Sequence, residues 1–239
     1  MRTYVVHKDY KDIENYLLTI PSLFEKGEGI VIYKGRNELR EFEFGGKKFI
    51  VKSYKQPNIV NKFVYGILRP SKAKRSYENA LKLLEIGVGT PFPVAYINIR
   101  RYMMFDRSYF ISLKSECSHI YKDLVYNKFD EEELVMREIG KITAIMHNKG
   151  YAHKDYGCGN ILFEKVENGV KIDLIDLNRM YIGKVGLKSG CKNFEKIPAS
   201  SKMQEYMAQE YAKYRNFNPD ECLRLIQEFR NRQPKMNGI

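Results

Sequence analysis

No run of eighteen apolar residues occurs in this chain, so no segment is long enough to span a bilayer as a helix. The opening residues, Met1-Arg2-Thr3-Tyr4-Val5-Val6-His7-Lys8-Asp9, lack the apolar core of a signal peptide. Cysteine is scarce. Cys117, Cys158, Cys191 and Cys222 are far apart in sequence, with no C-x-x-C pair and no zinc-ligand spacing. A disulfide scaffold and a structural zinc site are therefore excluded, and the four read as reduced thiols of a cytoplasmic chain. His7, His119, His147 and His153 form no metal-like cluster either. Repeats and low-complexity segments are absent. What remains is an ordinary globular composition, 44% hydrophobic over 239 residues, enough for one domain built of two lobes.

Acidic residues are locally missing, and that absence is informative. The formal net charge is +12. Between Phe44 and Tyr77 there is no Asp or Glu, but there are nine cations: Lys47, Lys48, Lys52, Lys55, Lys62, Arg69, Lys72, Lys74 and Arg75. Ile59, Val60, Phe63, Val64, Tyr65, Ile67 and Leu68 are interleaved with them. Basic and aromatic residues in one insertion suit an anionic membrane surface. A second acid-free stretch, Leu177 to Phe194, holds Arg179, Lys184, Lys188 and Lys192. The plain alternative for both is a solvated basic face, with no specific nucleic acid expected.

The chemistry is concentrated in His153-Lys154-Asp155-Tyr156-Gly157-Cys158-Gly159-Asn160, followed by Asp176 in Ile175-Asp176-Leu177-Asn178-Arg179. An Asp five residues before an Asn, with a second Asp beyond the next hairpin, is the kinase arrangement for phosphoryl transfer. The first Asp, Asp155, receives the proton of the attacking hydroxyl. Asn160 and Asp176 hold Mg²⁺ against the phosphates of ATP. The flanking elements agree. Glu131 to His147 reads as a helix, with Val135, Ile139, Ile142 and Met146 on one face and Gly150 as its left-handed cap. Ile161 to Phe163 and Lys171 to Ile175 read as two strands joined by Glu167-Asn168-Gly169. The bland reading is that His153 and Asp155 merely brace a turn.

Upstream, Ile30 to Tyr33, Leu39 to Phe44 and Lys47 to Tyr54 read as three strands, with Gly45-Gly46 as a hairpin turn. Phe49-Ile50-Val51-Lys52 resembles the V-A-I-K strand whose Lys contacts the phosphates. A helix is predicted over Ser71 to Glu85, striped by Tyr77, Leu81 and Leu84. Glu78 lies in its first half as the expected ion-pair partner of Lys52. Met1 to Lys26 reads as an N-terminal extension with a short amphipathic helix. A hinge is expected near Ser112 to Ser115, after the strand Tyr109 to Leu113. Ser201 and Asn218 are read as the caps of two closing helices.

The chain resembles the bacterial lipopolysaccharide core-sugar kinases, the Kdo and heptose kinase family. The resemblance is carried by Leu68-Arg69-Pro70-Ser71-Lys72-Ala73-Lys74-Arg75-Ser76-Tyr77-Glu78-Asn79-Ala80, by Gly87-Val88-Gly89-Thr90-Pro91, and by the Asp155 and Asp176 segments. It implies an α+β, protein-kinase-like two-lobed fold. The N-lobe, 1–113, would be a small antiparallel sheet with one helix, and the C-lobe, 114–239, mainly helical. It also implies transfer of the ATP γ-phosphoryl group to a sugar hydroxyl of the inner core. The acceptor would be lipid-linked, either Kdo-lipid A or heptosylated core, at the inner face of the cytoplasmic membrane.

Departures from the wider kinase pattern are visible. Lys34-Gly35-Arg36-Asn37 stands where a G-x-G-x-x-G loop covers the phosphates in protein kinases. Asp176 is followed by Leu-Asn rather than Phe-Gly, and Lys154 replaces the Arg of H-R-D. No A-P-E follows Asp176, and about sixty residues remain after it. Two other readings stay open: a small atypical Ser/Thr protein kinase that also lacks A-P-E, and a basic membrane-associated pseudokinase or binding module.

Overall fold

The structure is a computed structural model that describes residues 2–55, 70–101, 104–126 and 129–232. The chain divides into two compact units, 1–81 with 91–114, and 82–90 with 115–239.

The first unit is built on a six-stranded antiparallel sheet. Its strands are β1 (Arg2–Val6), β2 (Ile30–Lys34), β3 (Asn37–Phe44), β4 (Lys47–Lys55), β5 (Pro93–Arg101) and β6 (Met104–Leu113), in the order β1-β5-β6-β4-β3-β2. The β3–β4 hairpin turns at Gly45 and Gly46, whose φ values of 58° and 72° are positive and cost glycine little. One face of the sheet, with Phe42, Phe49, Val51, Ile97, Tyr109 and Ile111, is buried against Leu17, Ile20 and Phe24 of α1 (Glu14–Glu25). The opposite face carries Tyr54 and Tyr96. Ala73 and Tyr77 of α2 (Lys72–Glu85) pack on these, with Leu81 and Phe110 at the margin.

Two sequence expectations change here. The N-terminal extension supplies β1, an edge strand paired antiparallel with β5 through Arg2↔Ile99 to Val6↔Ala95, besides the expected helix. In α2 the fully buried side chain is Leu83 rather than the half-buried Leu84. The first-unit stripe runs through Ala73, Ser76, Tyr77 and Ala80, where small residues let the helix sit close to the sheet.

The second unit is mainly helical. After β7 (His119–Ile120) and α3 (Tyr121–Tyr126) comes α4 (Glu132–Asn148), its central helix. Val135, Ile139, Ile142 and Met146 are all buried, as the periodicity predicts. Thr143, Ala144 and His147 are buried too, so α4 is covered on more than one face. Gly150 follows with φ 78°. Two short sheets carry the loops: β8 (Tyr151–His153) pairs with β11 (Met180–Ile182), while β9 (Ile161–Val166) lies between β10 (Gly169–Leu174) and β7. Helices α5 (Leu187–Lys192), α6 (Ser201–Arg215) and α7 (Pro219–Asn231) complete the unit.

Asn218 caps α7 as expected, its Oδ1 accepting from the Glu221 N–H at 2.9 Å with Pro219 at the first helical position. The cap of α6 is Ser200, one residue earlier than expected. Its Oγ accepts from the Met203 N–H at 3.2 Å. Adjacent serines offer the same chemistry, and the extended backbone of Ser200 (ψ 167°) decides between them. The cysteines, distant in sequence, are not all distant in space. Buried Cys191 of α5 and Cys222 of α7 are neighbours, and their interaction raises the pKa of the first thiol and lowers that of the second.

Candidate active site

In the first unit, strand register places Lys52 opposite Leu39 on β3 and Phe110 on β6. Lys52 therefore shares the sheet face of Ile50 and Tyr54, and its Nζ lies 5.4 Å from the centre of the Tyr54 ring. The Tyr54 hydroxyl is 2.8 Å from Ser76 Oγ, which ties this face to α2. Ile30, opposite Glu41, and Tyr33, opposite Leu39, extend the same face on β2 and are exposed.

The expected Lys52–Glu78 ion pair is not among the described contacts. Glu78 pairs instead with Lys74, one turn earlier on α2, at 3.6 Å. An i,i+4 pair on the solvent side of the helix is locally accessible, and Glu78 is exposed there. In the Lys34-to-Asn37 loop the turn is closed by the Gly35 N–H donating to the Asn37 carbonyl at 3.0 Å. Of the basic insertion, Lys62 and Arg69, with its apolar residues from Ile59 to Leu68, lie outside the described residues.

The second unit brings Asp155, Asn160 and Asp176 onto one framework. His153 is fully buried at the end of β8. Its Nδ1 accepts from the Asp155 N–H at 3.1 Å, which leaves Nε2–H to donate to the Ile175 carbonyl at 3.0 Å. One imidazole thus joins the backbone of Asp155 to the residue before Asp176. Burial lowers the pKa of His153, and the neutral tautomer is the one these two bonds require. His153 is a scaffold residue, with both nitrogens occupied.

Asn160 closes the loop. Its Nδ2 donates to the Asp155 carbonyl at 2.7 Å, its N–H donates to Gly157, and its carbonyl accepts from Ile175 at 3.0 Å. That orientation leaves Oδ1 as the ligating atom of the amide. Asp176 sits at φ 61°, a left-handed conformation that Asp tolerates better than most residues, and accepts from Asn178 Nδ2. One carboxylate and one amide oxygen, completed by substrate phosphates, is a donor set that fits Mg²⁺. Among the described residues no group of three or more His, Cys, Asp or Glu could hold a metal by itself.

The Asp155 carboxylate carries two cations that sequence reasoning did not attach to it. Arg179 Nη1 lies 3.3 Å from Oδ2, and Lys196 Nζ lies 4.0 Å from Oδ1. Asn193 was also missed. Its Nδ2 donates to the His153 carbonyl at 2.8 Å, and its Oδ1 is 3.0 Å from His147 Nε2. His147 Nδ1 in turn is 2.9 Å from the Tyr211 hydroxyl. This buried chain fastens the loop to α4 and α6. Burial brings the His147 pKa down to about 4. A groove of about 580 Å³ lies elsewhere in the unit, lined by Gly186, Leu187, Lys188, Ser189, Lys192 and Phe229. None of the three motif residues lines it.

The sequence matches the model of the lipopolysaccharide kinase (Kdo/WaaP) family over residues 61–216. The chain belongs to that family. It is therefore a phosphotransferase of lipopolysaccharide core sugars that uses ATP. Its fold is that of WaaP solved in complex with acyl carrier protein, at 15% identity and a TM-score of 0.68, over 96% of this chain and 97% of that one. Two further kinases are less similar. The Rio2 kinase of Chaetomium thermophilum, as an ADP/Mg²⁺-phosphoaspartate complex, aligns at 11% identity and TM-score 0.49, over 90% of this chain and 74% of that one. The bifunctional kinase-methyltransferase WbdD aligns at 13% and 0.48, over 85% and 45%. No curated protein matches the sequence. The family member thus has the expected α+β, protein-kinase-like fold, with an antiparallel-sheet first unit and a helical second unit.

Proposed function

We propose that this family member transfers the γ-phosphoryl group of ATP to a hydroxyl of Kdo or heptose in the lipopolysaccharide inner core. The observation that carries the residue assignment is the imidazole of His153. It binds the Asp155 N–H and the Ile175 carbonyl, so the two acidic positions of a kinase are registered by one rigid group. Asp155 orients the acceptor hydroxyl and takes its proton. Lys52 holds the ATP phosphates, with Ile30, Tyr33 and Leu39 of the same sheet face offering an apolar platform to the adenine. Asn160 and Asp176 hold Mg²⁺, which when bound neutralises charge on the phosphates. Glu78, engaged with Lys74, has no part in this assignment.

The acceptor reading is supported by the family match and by charge. A net charge of +12 favours an anionic glycolipid and an anionic membrane surface, which supports the proposed location at the inner face of the cytoplasmic membrane. No helix among the described residues is long and apolar enough to cross a membrane, so the attachment proposed is peripheral. WaaP was solved with acyl carrier protein, and co-purification tests whether this chain takes the same partner.

The deciding experiment is transfer from γ-labelled ATP with Mg²⁺ to Kdo-lipid A, heptosylated core and a generic protein, side by side, with Asp155→Ala as control. Label on one glycolipid that vanishes in the variant supports the reading and selects the sugar. Label on protein alone would overturn it in favour of an atypical protein kinase.

A further inference from the structure

Asp155 carries one negative charge and is approached by two positive ones. The main chain of Asp155 is fixed without them, its N–H by His153 and its carbonyl by Asn160. Both cations are under-used. Arg179 contacts Asp155 through Nη1 alone, and Lys196 at 4.0 Å is beyond hydrogen-bond length. Their side chains are 49% and 48% exposed, against 34% for Asp155. A guanidinium has five donors and an ammonium three, so most of this capacity faces solvent.

The backbones that carry the two heads are nevertheless held in place. The Arg179 carbonyl accepts from the Lys154 N–H at 3.0 Å, and the next residue, Met180, pairs with His153. Lys196 ends the short turn Asn193–Lys196, and Asn193 bonds the His153 carbonyl. Both cations therefore hang from the framework that positions Asp155.

We propose that Arg179 and Lys196 form an anion subsite for the acceptor, gripping a carboxylate or phosphate that the sugar itself carries beside the hydroxyl received by Asp155. This rests on the kinase reading above and narrows it to acceptors that are already acidic. An arginine fork with free donors suits either oxyanion, and the lysine adds a point charge. Two sources share this chemistry: the carboxylate of Kdo and a phosphate on a heptose.

The test is steady-state transfer by wild type, Arg179→Ala, Lys196→Ala and Lys196→Arg. The acceptors are Kdo-lipid A, its carboxyl-reduced analogue, and heptosylated core with and without heptose phosphate. With the acidic acceptor, each alanine variant is expected to raise the acceptor KM about tenfold, a loss of one charged contact. The ATP KM should stay within about twofold, and Lys196→Arg should restore most of the loss. The neutral analogue should bind wild type and variants alike. Whichever acidic acceptor shows the effect identifies the source of the anion. A fall in kcat of the same size on charged and neutral acceptors, with unchanged acceptor KM, would overturn the proposal. The cations would then serve Asp155 or the migrating phosphoryl group.

Absence of transfer by wild type to every glycolipid would count against the kinase reading instead. Calorimetric binding of free Kdo and of heptose phosphate, without ATP, then decides the subsite alone. Binding lost in the Arg179→Ala/Lys196→Ala double variant supports it, and binding that is absent or equal in both proteins refutes it.

Discussion

Asp155 owes its position to backbone bonds, and that separates its chemistry from its neighbours' folding. Replacing it by alanine removes the carboxylate while leaving the His153–Asp155 and Asn160–Asp155 bonds, which use main-chain atoms. Asp155→Ala is therefore expected to lower turnover about 10²–10⁴-fold, the usual worth of a positioned base. The rise in melting temperature on adding ATP and Mg²⁺ should persist. Loss of both together would contradict the assigned role. Asp176→Ala, by contrast, should lose the Mg²⁺-dependent part of that rise. These residues were legible in the sequence because the loop that carries them is nearly contiguous. Asn193 and Lys196 were not, because they enter the site from about forty residues downstream and no spacing rule links them to His153.

The buried histidines make stability fall on acidification. Burial lowers the pKa of His153, and that of His147 to about 4, while in the unfolded chain both titrate near about 6.5. Below that value the unfolded state binds more protons, so protonation favours unfolding. Their contribution is complete above the unfolded pKa and shrinks as pH falls toward the folded one. For His147 the loss reaches on the order of 3 kcal/mol by pH 4. Urea melts between pH 7 and 5 should show the loss, and His147→Gln should flatten the slope. An unchanged slope in that variant would remove His147 as its source.

At the scale of elements, periodicity and turn chemistry carried most of the fold. The α4 stripe, the Gly45-Gly46 hairpin, the Gly150 cap and the Asn218 cap are all where the sequence predicts them, because each rests on local physics. What it did not reveal is long-range. β1 exists only because β5 offers it an edge, far along the chain. Close approach is equally hidden. A Cβ on Gly140 of α4 would lie 2.5 Å from the Met207 carbonyl of α6. Gly→Ala in a helix ordinarily gains about 1 kcal/mol, while forcing two packed helices apart costs about 1–3 kcal/mol. The steric cost falls on backbone that cannot rotate away, so Gly140→Ala is expected to destabilise. Denaturant unfolding decides it, and a stabilised variant would mean that α6 moves freely over α4. Ser200→Ala should cost about 1 kcal/mol through its lost cap, with Ser201→Ala nearly silent.

For the whole molecule the governing quantity is charge. With 41 basic and 29 acidic residues, the chain is strongly biased toward anionic partners, and its acid-free segments concentrate that bias. Lys72 and Lys74 begin α2, and Lys62 belongs to the preceding insertion outside the described residues. Each basic residue close to an anionic bilayer contributes on the order of 1 kcal/mol. Changing Lys62, Lys72 and Lys74 together to Glu removes three such contributions and adds repulsion. Binding to vesicles rich in anionic lipid should then weaken by at least about a hundredfold in low salt. The difference should shrink as salt rises toward physiological strength, where the screening length is about 8 Å. Glu78 complicates the comparison, because the Lys74 change also breaks its ion pair at 3.6 Å. An exposed i,i+4 pair is worth only about 0.3–0.5 kcal/mol, so a loss of binding on the expected scale cannot come from helix stability. Transfer to a water-soluble sugar acceptor gives the matching control. It should be unaffected if these lysines serve the membrane, and equally reduced if they serve ATP. Vesicle binding that survives the triple change would move the membrane contact away from this segment and toward the basic stretch that follows Asp176.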